Sequence, residues 1–190
     1  SNPIEYAMAY SALSESKMIR AGLIMASGKI NNHISKKSLL TLASSIELMH
    51  TYSLIHDDLP SMDNDSLRRG KPTLHTIIDP GLALLIGDSM IADCYGLTAE
   101  ACIESYGETP KGHWISSSLT RVISESMGST GVCFGQWIDL SDSVEDWESL
   151  KTLHELKTGA LIALCMQVGY YFGIADKFSE KDCIFLIGEI

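Results

Sequence analysis

The chain is short of positive charge: 14 Lys and Arg stand against 24 Asp and Glu, a formal net charge of −10. Nucleic-acid binding needs a broad basic surface to neutralise phosphates, so this balance argues against that partner. Small anions stay within reach wherever a local cation cluster or a bound metal reverses the potential. Cysteine is also scarce: Cys94, Cys102, Cys133, Cys165 and Cys183 are odd in number and widely spaced, without a CxxC pair. Such spacing speaks against a disulfide framework or a zinc site and fits reduced thiols in a cytoplasmic protein. No apolar run reads as long enough to span a bilayer, and no apolar segment follows a basic start as in a secretory leader. Clear period-2 strands, internal repeats and low-complexity stretches are missing as well.

What is present is helical periodicity over 45% hydrophobic residues, enough in 190 residues for one substantial core. Helices are expected over about 3–15 and 17–29, with Asn31-Asn32 as a break. Ser35 caps a long helix over about 36–58 that Pro60 ends, and Asp79-Pro80-Gly81 starts another over about 80–105. Gly107 and Pro110 mark a loop before a helix over about 112–127. A stretch broken by Gly128, Gly131 and Gly135 re-enters helix through Gln136 and Asp139, a long helix covers about 145–171, and a further one begins at Phe178. The expected fold is all-α, in a single domain over 1–190. The apolar, uncapped run Cys183 to Ile190 reads as the middle of a helix, so a longer parent chain is expected, and Ser1-Asn2 reads as a tag remnant.

The chemistry concentrates between His50 and His75. Asp57, Asp58, Asp63 and Asp65, with Glu47 upstream, are read as gathering at a helix end, followed by Arg68, Arg69 and Lys71. Asp63 is six residues beyond Asp57, roughly 120° away on a straight helix, but Pro60 forbids a straight continuation and lets the chain fold back. Carboxylates at a helix C-terminus oppose the macrodipole, and a cation would offset that cost. An oxygen-only donor set with Arg nearby suits Mg²⁺ carrying phosphate oxygens; a solvated acidic helix end is the plain alternative. Lys17 and Arg20, three apart, share a helix face and could clamp a phosphate or merely form a surface. His50 reads by default as a satisfied core histidine, Lys157 as a solvated lysine, and His75 and His154 have no evident partner.

Residues 57–73, DDLPSMDNDSLRRGKPT, resemble the first aspartate-rich motif of the trans-isoprenyl diphosphate synthases, in the form with two extra residues between the aspartates. Ile86-Gly87-Asp88-Ser89 resembles that family's Gly-Asp helix start, Gly131 to Asp139 its Gly-Gln-x-x-Asp segment, and Lys157-Thr158-Gly159-Ala160 its Lys-Thr-Gly segment. The resemblance implies a helical bundle around a central cavity, a homodimer, and condensation of an allylic diphosphate with isopentenyl diphosphate. It implies that Asp57 and Asp63 ligate Mg²⁺ with Asp58 in support, and that Arg68 holds the allylic diphosphate. Lys157 and Thr158 would contact the allylic leaving group, while Gln136 and Asp139 would line the same cavity. Lys17, Arg20, His50 and Arg69 would hold isopentenyl diphosphate. Tyr52 and Ser53, five and four residues before Asp57, would set product length, with farnesyl diphosphate expected ahead of geranylgeranyl.

Two departures stand out. The family pattern Gly-Gly-Lys-Arg-x-Arg-Pro reads here Glu15-Ser16-Lys17-Met18-Ile19-Arg20-Ala21. No second aspartate-rich motif occurs, so the C-terminal third of such an enzyme is expected to be missing and little turnover is expected from these residues alone. Two further readings are a non-catalytic prenyltransferase-like subunit and, from His56-Asp57, a metal-dependent phosphohydrolase.

Overall fold

The structure, a computed structural model, describes residues 2–14, 16–29, 34–141 and 143–174. The helices are α1 (Pro3–Ala12), α2 (Ile19–Gly28), α3 (Lys36–Asp57), α4 (Leu74–Ile77), α5 (Pro80–Tyr106), α6 (Pro110–Met127), α7 (Val132–Leu140), α8 (Trp147–His154) and α9 (Ala160–Ile174). Their starts follow from the sequence. Asn2, Ser35, Asp79 and Thr109 each offer a side-chain oxygen to a first-turn N–H, and proline follows directly in α1, α5 and α6. Asp146 and Ser149 bond reciprocally as a capping box at α8.

The core forms where α3 packs along α5, bringing Leu42, Ile46 and Met49 together with Ala83, Met90 and Cys94, all essentially without solvent contact. Phe172, Leu164 and Val168 of α9 and Ile115, Leu119 and Ile123 of α6 complete it. The close approach of α2 to α9 depends on Gly169, where a Cβ would stand 2.6 Å from the Ile24 carbonyl oxygen. By length and composition α5 is long and apolar enough to cross a bilayer, contrary to the sequence expectation. Its buried stripe belongs to the common core, while Leu82, Leu84 and Leu85 remain exposed on its first turns.

Several expectations need correction. Lys17 precedes α2 rather than sharing its face with Arg20, because Met18 takes left-handed dihedrals (φ 48°) and the helix begins only at Ile19. Gly87 and Asp88 lie inside α5, not at a helix start. The expected helix over 145–171 is two α-helices joined by a π-helical turn at Glu155–Gly159, where the Ala160 N–H donates to the Glu155 carbonyl five residues back. A small antiparallel hairpin, β1 (Leu67–Arg68) with β2 (Lys71–Pro72), joins the all-α frame unannounced. Two-residue strands are too short for an alternating pattern to show. The break at Asn31-Asn32, the helix from Phe178 and Cys183 lie outside the described residues.

Candidate active site

Two sites, one acidic and one cationic, flank the hairpin. At the acidic one, α3 ends at Asp57 and the chain doubles back as the sequence suggests: the Asp63 N–H donates to the Asp57 carbonyl at 2.8 Å, and those of Met62 and Asn64 to the Leu59 carbonyl at 2.9 and 3.1 Å. Asn64, at φ 53°, makes the left-handed step, which asparagine tolerates better than most residues. The Asp57 carboxyl is pushed up to about 6, chiefly by burial, with Lys157 opposing the rise and Asp63 adding to it. Asp58 is buried and clasped by Arg68, whose Nε donates to Oδ1 at 2.9 Å and whose Nη2 reaches the same oxygen. Burial still raises the Asp58 carboxyl despite that arginine. Arg68 also reaches Asp65 Oδ2 at 3.4 Å. Glu47 is not part of this group; it sits in the cationic site.

Among the described residues no three His, Cys, Asp or Glu side chains already form a metal cage. The donor set nonetheless fits Mg²⁺. Asp63 is close enough to destabilise the charge of Asp57, and the pair offers oxygen donors only, as that ion prefers. Asp58 is bonded to Arg68.

Opposite, Lys157 Nζ donates to the Asp139 carboxylate. Lys157 lies in the π-helical turn, pressed against α7 at Gly135, where a Cβ would stand 2.4 Å from the Lys157 nitrogen. No side chain larger than hydrogen fits there, so Gly135 sets how near Lys157 comes to Asp139. Gln136 is buried with its Nε2 unpartnered among the described residues, and Thr158 is exposed one residue beyond Lys157.

The cationic site is a cleft of about 510 Å³ whose lining includes Lys17, Arg20, Glu47, His50 and Arg69. Arg69 and Gly70 both have positive φ (54° and 76°), the pattern of a two-residue hairpin turn that matches strand twist. That turn gives neighbours in sequence different partners: Arg68 bonds Asp58, and Arg69 lines the cleft, while both also line a smaller cavity with Asp58. The hairpin is tethered by Tyr10, whose hydroxyl donates to the Pro72 carbonyl at 2.9 Å, and by Thr73, whose hydroxyl donates to the Asp65 carbonyl at 2.7 Å. His50 is buried and its pKa falls to about 3, first through burial and then through Arg20, Arg69 and Arg68, so it is neutral at ordinary pH. Its Nδ1 has no partner among the described residues, which departs from the expected satisfied core histidine.

Tyr52 is buried on α3, edge-on to His56 with ring centroids 5.4 Å apart, and its hydroxyl is raised by burial and by Cys133 of α7. Ser53 is half-buried and spends its hydroxyl on the His50 carbonyl at 2.9 Å. His56 turns toward α5: its Nε2 lies 3.1 Å from the Leu84 carbonyl, and its ring occupies the space where a Gly87 side chain would be. His56 Nε2 also lies 3.9 Å from Asp88 Oδ1, and among the described residues no cluster of three His, Cys, Asp or Glu side chains forms around the His56-Asp57 pair to support a phosphohydrolase. His75 has a partner the sequence did not suggest, the Thr73 hydroxyl at 3.2 Å.

With this geometry in view, the comparisons with known proteins point one way. The sequence profile of the polyprenyl synthetase family matches residues 1–189. A farnesyl diphosphate synthase from Haemophilus influenzae is 35% identical over 94% of this chain and 58% of its own length. A chloroplastic geranylgeranyl pyrophosphate synthase from Capsicum annuum is 36% identical over 90% of this chain and 45% of its own. Among solved structures, an FPP/GFPP synthase from Zymomonas mobilis superposes with a TM-score of 0.81 at 34% identity, covering 90% of this chain and 60% of that one. The chain therefore spans less than two thirds of the relatives it matches.

Proposed function

The chain belongs to the polyprenyl synthetase family, and from that premise we propose that it carries the diphosphate-binding half of an Mg²⁺-dependent prenyltransferase. The reaction is condensation of isopentenyl diphosphate with a dimethylallyl or geranyl diphosphate, giving farnesyl diphosphate. The observation that carries this reading is the different engagement of two consecutive arginines at the hairpin turn: Arg68 is bonded to Asp58 and Asp65, and Arg69 lines the cleft with Lys17 and Arg20. Two diphosphates of like charge need two such places.

Asp57 and Asp63 would hold Mg²⁺, which when bound neutralises diphosphate charge and so favours its departure. Lys157 and Arg68 are each held by a carboxylate and can exchange that partner for diphosphate oxygens, with Thr158 and Gln136 alongside. Lys17, Arg20 and Arg69 hold the isopentenyl diphosphate, and neutral His50 offers a hydrogen bond without a charge of its own. The C–O bond of the allylic substrate breaks, the isopentenyl double bond attacks the resulting cation, and a proton is lost. The apolar interior keeps water from that cation.

Product length is assigned to Tyr52, with small Ser53 beside it. The geranylgeranyl product is the second reading, favoured by a similar identity to the Capsicum synthase. The whole enzyme is taken to be a cytoplasmic homodimer, for which exposed Leu82, Leu84 and Leu85 offer an apolar face.

The test is incorporation of labelled isopentenyl diphosphate with Mg²⁺ and geranyl diphosphate, using the 190-residue chain and a longer form that carries a second aspartate-rich motif. Farnesyl product from the longer form, with little from the 190 residues, is the expected result. Substrate binding without incorporation by either form moves the assignment to a non-catalytic subunit. In the active form, Tyr52→Ala should lengthen the product; an unchanged product removes Tyr52 from that role.

A further inference from the structure

An acid stands in the cleft of cations. Glu47 of α3 lines it beside Lys17, Arg20 and Arg69, where a carboxylate repels the diphosphate proposed above. We infer that Glu47 is a positioning residue that fixes the first turn of α2 and thereby aims Arg20; this rests on the proposed reading of the cleft.

The first N–H groups of a helix lack internal partners and need an acceptor. α2 has no side-chain cap of its own, since the residue before it is left-handed Met18. Glu47 Oε1 supplies the acceptor from another helix, taking the Ala21 N–H at 3.1 Å. The family pattern has proline at this position, whose nitrogen carries no hydrogen and whose ring fixes φ by itself. The alanine here frees a donor and loosens the turn, and the bond from Glu47 compensates for both. Arg20 depends on that turn because its Nε is buried without a partner among the described residues. Burial disfavours its charge, Glu47 favours it, and Arg69 opposes it. What the turn requires is an acceptor oxygen. The negative charge that comes with it works against an anionic ligand.

The variants that separate these roles are E47Q, E47A and A21P. Ala21 amide exchange is read in the ligand-free protein, and calorimetry reads binding of inorganic pyrophosphate and of isopentenyl diphosphate. E47Q keeps an acceptor and loses the charge, so Ala21 should stay protected while pyrophosphate binds roughly threefold to tenfold more tightly. E47A should speed Ala21 exchange at least about tenfold and weaken binding about tenfold. In the A21P background, E47A should no longer weaken binding. The inference is overturned if E47Q weakens binding as much as E47A with Ala21 still protected, because the charge is then what matters. It is also overturned if E47A leaves Ala21 exchange unchanged. Should the unaltered chain bind neither diphosphate while Ala21 responds as described, the reading of the cleft falls and the tie between Glu47 and α2 stands.

Discussion

The acidic helix end and the cationic cleft lie on either side of one hairpin and are built in opposite ways. The acidic end comes from one stretch, Asp57 to Arg68, closed by backbone bonds between residues at most six apart. Its cation is neutralised in advance by Asp58 and Asp65. The cleft draws Lys17 and Arg20 from before and within α2, Glu47 and His50 from α3, and Arg69 from the turn. Among the described residues no carboxylate lies within ion-pair distance of Lys17, Arg20 or Arg69. A site folded from one segment has its arginine already paired and carboxylates left in excess; a site assembled from three keeps unpaired positive charge ready for a ligand.

The sharpest way to break this contrast is to remove a carboxylate from the acidic end. In the active, longer form, Asp57→Ala should lower kcat at least roughly a hundredfold, with isopentenyl diphosphate binding changed little. Equal losses in both would mean that the two sites are one. Chelation by EDTA should mimic the variant, and added Mg²⁺ should restore only the unaltered protein.

A smaller effect, of mixed sign, is expected in the cleft. Arg69 occupies a left-handed position that Asn fills more comfortably. Arg69→Asn should stabilise the fold by about 0.5–1 kcal/mol and weaken isopentenyl diphosphate binding about tenfold. Urea unfolding and calorimetry on the same sample read both, and a variant that loses stability refutes the turn argument.

The smallest effect is on pH dependence. The folded pKa of His50, about 3, lies below its ordinary value of 6.5. Its contribution to stability is therefore fully present above pH 6.5 and declines as pH falls toward 3. His50→Gln should flatten that part of the stability curve, and parallel curves for the two proteins would show that His50 is solvated.

What the sequence made legible follows the same division. Pro60 forces the chain back, so the sequence places Asp63 near Asp57, and the signals at Ser35 and Asp79-Pro80 predict two helix starts to within a residue or two. The spacing of Lys17 and Arg20 allows a shared helix face, whereas a single left-handed Met18 decides the matter. Glu47, grouped by sequence with the aspartates, belongs to the cleft because α2 crosses α3 at that level. That crossing brings Gly28 of α2 against Leu39 of α3, and no local pattern reports it. Gly87 stands out in the sequence by its motif, but its physical use is to admit the His56 ring.

The π-helical turn at Glu155–Gly159 has a consequence for how α8 and α9 keep different allegiances. One residue more than an α-helical turn advances the phase of everything beyond it by about 100°. α8 can therefore show Leu153 to one neighbour while α9, in line with it, shows Leu161, Leu164 and Val168 to another. Deleting a single residue from this turn would let an unbroken α-helix form and would swing Lys157 away from Asp139. The extra residue acts as a gear tooth, setting the angle at which α8 hands over to the core helix α9 through the turn that bears the lysine.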